Sequence, residues 1–150
     1  MPNAPKPRHP EPHVARAVGF FEAMALADLD RLGDIYAAQA RFKDPFNDVV
    51  GVDAIRRIYA HMFDALQAPR FRIIQVIGGA TDCALVWDMD FALRSKQMTI
   101  HGASHLRFDA GGRITLHRDC WDAAEELYAK LPVLGVLVRA LQRKLATPQR

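Results

Sequence analysis

Little in this sequence points to a metal site, a membrane span or a nucleic-acid binder. There are two cysteines among 150 residues. Cys83 and Cys120 lie far apart and form no CxxC pair, which argues against a disulfide framework or a zinc site and is typical of a reducing compartment. No apolar run is long enough to span a membrane, and the net charge of +3 is not clustered on one basic face. We therefore expect a cytoplasmic protein that binds no metal and no nucleic acid.

The first twelve residues are rich in proline and almost without apolar side chains. They lack the apolar core of a signal peptide, and their composition predicts a disordered or extended arm over residues 1–12. Half of the whole sequence is apolar and a quarter is charged, which is typical of one soluble domain with a hydrophobic core.

Helical periodicity dominates the first part of the domain. Apolar residues recur at helical spacing from His13 to Ala27 and again from Val52 to Leu66. Between these segments, a shorter helix is predicted to start at Asp28 and to include Ile35 and Tyr36. The sequence therefore predicts three N-terminal helices.

Asp44 lies in the connection over residues 40–51 and is a candidate for chemistry. It precedes Pro45, whose ring disfavours helical geometry for the residue before it, so Asp44 ends a short extended segment. A carboxylate between Phe42 and Phe46 has a proton affinity that partial desolvation can tune. The alternative is that the Asp-Pro pair simply initiates a turn.

After Pro69 the apolar residues change from helical spacing to alternation. This alternation predicts four strands, over residues 71–77, 83–93, 96–108 and 113–121. The second strand alternates cleanly, so its Asp88 and Asp90 are expected on the solvated face opposite the apolar one.

The stretch Asp-Ala-Gly-Gly over residues 109–112 predicts a hairpin between the last two strands. If the residues flanking this stretch pair with each other, Ser104 lies opposite His117. One face then carries Ser104 together with Thr115, His117, Asp119 and Trp121. The other face carries His101, His105, Ile114, Leu116 and Cys120. Both faces are mixed, so the pattern leaves open which one is inside.

The C-terminal part, residues 123–150, is predicted to be a helical extension. Asp122 and Glu125 have the spacing of an N-terminal capping box, and apolar residues recur at helical spacing from Pro132 to Ala146. Basic residues border this apolar stripe: Arg139, Arg143 and Lys144. Such a helix packs on its own domain or on a dimer mate, or it makes a peripheral contact with a membrane surface.

The order of these elements resembles the nuclear transport factor 2-like superfamily, and more narrowly its SnoaL-like polyketide cyclase and ketosteroid isomerase branch. The resemblance covers residues 14–122 and is carried by Asp44-Pro45-Phe46 with Gly51, Ile55 to Tyr59, Arg107-Phe108-Asp109, Gly112-Arg113-Ile114 and Trp121. It implies an α+β fold, in which three N-terminal helices wrap a curved antiparallel sheet into a cone with an apolar pocket. It also implies a SnoaL-like domain over residues 13–122, often a homodimer, and the C-terminal helix is an addition to it.

The ketosteroid isomerase site is only partly present. Its general base falls on Asp44, but its oxyanion-hole tyrosine falls on Phe20 and its protonated aspartate on Ser104. Two strong donors to the developing enolate are central to that mechanism, so efficient ketosteroid isomerisation is not expected.

The resemblance also places Ser104, His117, Asp119 and Trp121 inside the cone. His117 is then a candidate proton shuttle near neutral pH, and Asp119 either activates it or, as a pocket aspartate is thought to do in SnoaL-like cyclases, acts as acid–base itself. Asp44 and Asp119 are rival candidates for the base. The alternative is that His117 and Asp119 only satisfy each other. The expected ligand-binding residues are Phe20, Met24, Tyr36, Tyr59, Phe63, Trp87, Ser104 and Trp121.

These features predict an acid–base enzyme without a cofactor, of the isomerase or cyclase type, that acts on a small hydrophobic carbonyl compound or lipid-like substrate. The alternative is a non-catalytic module that binds an apolar ligand or a protein partner, because one fold serves many functions.

Overall fold

A curved sheet of six strands organises residues 11–147, which are the part of the chain that the computed structural model describes. The predicted arm lies outside this part, except for its last two residues. The strand order is β2-β1-β6-β5-β4-β3, and neighbours are antiparallel except for the parallel pair β1 and β6. The strands are β1 Tyr36–Lys43, β2 Asp48–Val50, β3 Gln67–Gly78, β4 Asp82–Leu93, β5 Lys96–Phe108 and β6 Ile114–Cys120.

The helices that precede or interrupt the sheet are α1 Pro12–Ala23, α2 Leu32–Ile35 and α3 Val52–Ala65, with a 3₁₀ turn over Leu26–Arg31. Pro12 suits the first turn of α1 because the N–H it lacks would have no partner there. The first helix buries Val14 and Phe21, and α3 buries Ile55 and Tyr59. The predicted α+β cone with N-terminal helices is confirmed.

Two predicted helix boundaries are wrong, one for a local reason and one because of sheet pairing. The first helix ends at Ala23 instead of Ala27, because the chain turns extended at Ala25, whose N–H donates to the Asp28 carboxylate at 2.8 Å. Tyr36 does not belong to the short helix but starts β1, where it pairs with Ile114 of β6. Non-local sheet pairing outweighs the local helical pattern here.

The predicted register of the last hairpin is also wrong, by two residues. Asp109 N–H donates to Arg113 O at 2.9 Å, so the turn is longer than predicted and Phe108 pairs with Ile114. An irregularity next to this pair shifts the register by one more residue, so Ser104 lies opposite Asp119 instead of the predicted His117. Because side chains alternate along a strand, a shift of two keeps the residues beyond the irregularity on their predicted face.

Ile114 lies before this irregularity and therefore changes sides. It is fully buried, whereas the predicted pairing put it on the same face as Leu116 and Cys120, which the resemblance implied to be the outer one. Asp88 and Asp90 do lie on the face opposite the apolar one, where the Arg72 guanidinium contacts both carboxylates at 3.1 Å and 2.6 Å. These two acidic residues form a surface ion-pair network.

The C-terminal segment continues directly from the sheet. The Asp122 carboxylate accepts hydrogen bonds from the N–H groups of Ala124 and Glu125, so its predicted capping role is confirmed. The elements that follow are α4 Ala123–Glu126, a 3₁₀ turn over Tyr128–Lys130 and α5 Pro132–Leu145. Among the described residues, no helix combines the length and the apolar character needed to cross a bilayer.

Candidate functional site

An apolar cavity of about 310 Å³ lies between α3 and the sheet. Its volume is at the lower end of the range for small-molecule sites. Two carboxylates line it, Asp44 and Asp119. Aromatic and aliphatic side chains form most of the wall, among them Phe42, Ile58, Tyr59, Met62, Phe71, Trp87, Ile100, Trp121 and Leu127.

A narrower pocket of about 20 Å³ extends this space inward. It shares Tyr59, Trp87 and Asp119 with the main cavity and reaches Ser104 and His117. Ser104 and His117 are both buried, at 3% and 4% exposure. The cavity therefore ends on a cluster of polar groups in an apolar surrounding, where each group needs a partner.

Asp119 is the centre of this cluster. Its Oδ1 accepts hydrogen bonds from Ser104 Oγ at 2.5 Å and from His117 Nε2 at 2.7 Å. Neither of these bonds reaches Oδ2. The Asp119 side chain is 14% exposed, so the carboxylate is fixed at one oxygen while it lines the cavity.

Trp87 supports Ser104 from the neighbouring strand. Its Nε1–H donates to Ser104 Oγ at 2.8 Å, and its ring passes over Gly102, where an added Cβ would lie 2.6 Å from the indole. A side chain at position 102 would push the ring away from Ser104. Gly102 therefore helps to set the orientation of the serine hydroxyl.

His117 connects Asp119 to two tyrosines. Its Nδ1 lies 2.6 Å from the Tyr36 hydroxyl, which lies 2.9 Å from the Tyr59 hydroxyl. One assignment of protons satisfies every link: Tyr59 donates to Tyr36, Tyr36 to His117, and neutral His117 to Asp119. With Ser104 donating from the other side, all donors then point toward Asp119 Oδ1.

Burial keeps both tyrosines protonated. Loss of contact with water raises the pKa of Tyr36 and of Tyr59 above the ordinary tyrosine value, and the nearby Asp119 charge raises both further. Burial disfavours the phenolate, so both hydroxyls act as hydrogen-bond donors at neutral pH.

Asp44 is held in a different way. Its Oδ1 accepts from the N–H groups of Phe46 and Asn47 at 2.8 Å and 2.6 Å, and the Asn47 amide donates to both carboxylate oxygens at 3.0 Å and 3.1 Å. All of these donors come from its own loop. This is the geometry of a turn initiator, the alternative that the Asp-Pro pair suggested.

The other predicted ligand-binding residues divide into three groups. Tyr59, Trp87 and Trp121 line the main cavity, while Tyr36 lies behind it in the hydrogen-bonded chain. The remaining three are not among the lining residues of either pocket: Phe20, Met24 and Phe63.

Phe21, not Phe20, faces the site from α1. Its ring centre lies 5.4 Å from that of His117, whereas Phe20 lines a separate depression on the other side of α1. Neighbouring helical positions point about 100° apart, and both phenylalanines fit an apolar stripe. Neither residue carries a hydroxyl, so the site still lacks the tyrosine of a ketosteroid isomerase at this position.

Sequence reasoning missed the polar function of Tyr36 and Tyr59. Both were assigned as lining residues, and only the pairing of β1 with β6 brings Tyr36 to His117. Within residues 11–147, no group of three or more histidine, cysteine, aspartate or glutamate side chains is placed to hold a metal ion.

Comparison with known proteins gives one family and many similar folds. The family described as the SnoaL-like domain matches residues 17–117, which agrees with the resemblance inferred from the sequence. No curated protein matches the chain.

Three solved structures illustrate the similar folds. An NTF2-like protein of unknown function from Exiguobacterium sp. 255-15 has a TM-score of 0.64 and 17% identity, covering 73% of this chain and 98% of that one. A protein with a ketosteroid isomerase-like fold from Catenulispora acidiphila DSM 44928, in complex with trimethylamine, has a TM-score of 0.68 and 16% identity, covering 81% and 95%. An LEH-like epoxide hydrolase from M. tuberculosis has a TM-score of 0.65 and 17% identity, covering 87% and 96%. At these identities the likeness shows the fold alone.

Proposed function

The chain belongs to the SnoaL-like domain family, and we propose that it is an acid–base enzyme of the isomerase or cyclase type that acts on a small hydrophobic carbonyl compound. The observation that carries this proposal is the Asp119 carboxylate, held at Oδ1 by Ser104 and His117 on the wall of an apolar cavity. A polar cluster that converges in an apolar cleft is the usual form of a small-molecule site.

Asp119 is the proposed general base. Its Oδ2 takes a proton from the carbon next to the substrate carbonyl, and the electron pair of that C–H bond moves onto the carbonyl oxygen to give an enolate. In a β,γ-unsaturated carbonyl compound this enolate is conjugated with the C=C bond, so the new carboxylic acid can return the proton to the γ-carbon. The carbonyl then re-forms and the double bond moves to the α,β position, which completes an isomerisation. The two hydrogen bonds at Oδ1 hold the carboxylate in place through both steps.

The hydrogen-bonded chain behind Asp119 supplies a donor for the enolate oxygen. In a second arrangement, His117 has taken up one proton from water and donates from both nitrogens, to Asp119 and to Tyr36. Tyr36 then donates to Tyr59, and the Tyr59 hydroxyl is left to donate into the cavity that it lines. A donor aimed at a developing oxyanion lowers the barrier most in a water-poor site. Tyr59 thereby takes the part that the missing tyrosine of α1 plays in ketosteroid isomerases.

Asp44 is the less favourable base. Its oxygens already accept four hydrogen bonds from Phe46 and Asn47. Taking a proton would weaken bonds that hold its own loop, because hydrogen bonds to a charged acceptor are the stronger ones. Asp119 Oδ2 takes part in neither of the bonds that fix its carboxylate.

Hydrogen exchange in a model ketone tests this proposal without knowledge of the natural substrate. The bicyclic ketone 2-tetralone is incubated with the protein in D₂O, and loss of its α-proton signals is followed by NMR. We expect the protein to accelerate exchange above the buffer rate and Asp119→Asn to lower this acceleration by about 10²–10⁴-fold, the usual contribution of a general base. An asparagine keeps an acceptor oxygen for Ser104 and His117, so the fold is retained.

Two further variants make the result specific. Asp90→Asn removes a carboxylate from the ion-paired outer face and is expected to leave exchange unchanged. If Asp44→Asn abolishes exchange while Asp119→Asn does not, the roles are reversed. If 2-tetralone shifts protein resonances of the cavity but no variant or wild-type protein exchanges its protons, the protein is a binding module and the proposal is wrong.

A further inference from the structure

Helix α5 exposes an unusually large apolar surface. Six of its large apolar side chains are between 41% and 87% exposed: Val133, Leu134, Val136, Leu137, Leu141 and Leu145. Scattered exposed apolar residues are normal, but a contiguous stripe of this kind marks a surface that meets another phase or partner.

Contacts on the opposite side of α5 determine which way the apolar stripe faces. Gly135 is the buried position of the helix and lies so close to Ala129 that an added Cβ would be 2.5 Å from the Ala129 oxygen. Arg139 donates a hydrogen bond to the same carbonyl oxygen. Helix α5 is therefore attached by its small and polar side, which directs the leucines outward.

The turn that carries α5 is attached to the sheet. Lys130 Nζ donates to Thr99 O at 2.9 Å, and Lys96 Nζ donates to Lys130 O at 3.3 Å. These bonds join the turn to β5, so α5 extends from a fixed base. Leu127, just before this turn, lines the main cavity.

After Leu127 every charged side chain is basic, and Lys130 alone among the described ones contacts a carboxylate, that of Glu126 at 3.2 Å. All 17 acidic residues of the chain precede Leu127, whereas Lys130, Arg139, Arg143, Lys144 and Arg150 follow it. A helix with an exposed apolar stripe and basic residues beside it suits the interface of an anionic bilayer, where the leucines enter the acyl boundary and the cations meet lipid phosphates.

We propose that α5 docks the protein on an anionic lipid surface, with Leu137 and Leu141 at the centre of the contact. Charge complementarity favours lipid over a second copy of this helix, because two α5 stripes packed together would bring basic residues near each other with no acidic residue of the segment to neutralise them. The docking does not depend on whether the cavity is catalytic. It would, however, place the cavity, through Leu127, beside a phase in which hydrophobic substrates dissolve.

Vesicle co-sedimentation of the full chain tests the proposal. One set of vesicles is phosphatidylcholine alone, and the other contains equal parts of phosphatidylcholine and phosphatidylglycerol. We expect binding to the anionic set, weak binding to the neutral set, and loss of binding as salt is raised. Leu137→Ser with Leu141→Ser is expected to lower the partition coefficient roughly tenfold or more, because two apolar side chains no longer enter the bilayer.

Matched controls separate docking from general stickiness. Ile74→Ser with Ile77→Ser removes two apolar side chains of similar exposure from β3 and is expected to leave vesicle binding unchanged. Arg143→Gln with Lys144→Gln is expected to weaken binding to the anionic set only. Binding that is equal for both vesicle sets, or absent from both, overturns the proposal. So does a dimer in analytical ultracentrifugation that dissociates with the two leucine substitutions while no vesicles are bound, because a second copy then covers α5.

Discussion

Asp44 and Asp119 line the same cavity, but different parts of the fold hold their oxygens. The donors to Asp44 all belong to Phe46 and Asn47, which lie two and three residues after it along the chain. Asp119 is held from β5 by Ser104 and, through His117, is connected to Tyr36, which is 81 residues from that histidine. The Asp44 carboxylate is held by its own loop, whereas the Asp119 carboxylate is held by residues from separate strands of the sheet.

This difference explains why the two residues suit different tasks. A local Asx-type turn forms whenever its few residues take the right conformation, so Asp44 stabilises its own loop. The network around Asp119 exists only when β1, β5 and β6 are assembled, and its buried members must all be satisfied together. A carboxylate preorganised in this second way is what the proposed general base requires.

The largest effect is expected for Asp119→Ala. Alanine removes the acceptor of both Ser104 and His117, and each buried donor left without a partner costs about 1–3 kcal/mol. Asp44→Ala is expected to cost less, roughly 0.5–2 kcal/mol, which is typical of a lost capping carboxylate. Urea unfolding, followed by tryptophan fluorescence, measures both free energies of unfolding.

A matched substitution checks that the loss of an aspartate side chain does not by itself explain the difference in the free energy of unfolding. Asp90→Ala removes an equal side chain from the outer face, where its guanidinium partner is 48% exposed, and surface pairs contribute little. We expect Asp119→Ala to exceed both Asp44→Ala and Asp90→Ala. Equal losses for Asp44→Ala and Asp119→Ala would show that the network is no more stabilising than the loop.

The same contrast explains what the sequence can predict. The Asp-Pro pair at residues 44 and 45 reveals its turn directly, because all of its contacts are local. The alternation of β5 gives its bounds correctly, and Ser104, His117 and Asp119 reach one face because the register error was an even number of residues. Patterns of local period therefore identify the loop and which of these residues share a strand face, whereas the resemblance to the family selected the face that lies inside.

The hydrogen-bonded chain behind the site could not be predicted in this way. It depends on Tyr36, which has the spacing of a helical residue but starts a strand paired in parallel with β6. No local period encodes a parallel pair between residues so distant along the chain. Phe20 and Phe21 show a second limit, because a largely apolar helix fits two rotations and only the packed sheet selects Phe21 for the inside.

Alkaline pH gives the next largest effect. Burial raises the pKa of Tyr36 and Tyr59 in the folded state, so the unfolded chain loses these protons first. Their contribution to stability is complete below about pH 10, the ordinary tyrosine pKa, and is lost as pH rises from there toward the folded pKa values. We expect the free energy of unfolding to fall above about pH 10.

Tyr59→Phe isolates this contribution. The variant has one tyrosine fewer to titrate, so its free energy of unfolding should fall less steeply above about pH 10 than that of the wild type, by up to ~1.4 kcal/mol per pH unit. Burial also raises the pKa of Cys83, to about 11, but that thiol is present in both proteins and cancels in the difference. Parallel slopes for the two proteins would mean that Tyr59 is not held in its neutral form.

The smallest effects come from single donors on each side of the comparison. Ser104→Ala removes one donor to Asp119 and leaves buried Trp87 Nε1–H without its acceptor, which costs about 1–3 kcal/mol. Asn47→Ala removes the side-chain donor to Asp44 but keeps its backbone N–H bond, which costs about 0.5–1.5 kcal/mol. In a chain of this length, each kcal/mol lowers the unfolding midpoint by about 2–4 °C, so calorimetry resolves the order. Water and the remaining backbone hydrogen bonds should partly replace the bond that Asn47→Ala removes from the loop. If Asn47→Ala nevertheless lowers the midpoint more than Ser104→Ala, the loop around Asp44 is the more tightly coupled region, and the comparison is wrong.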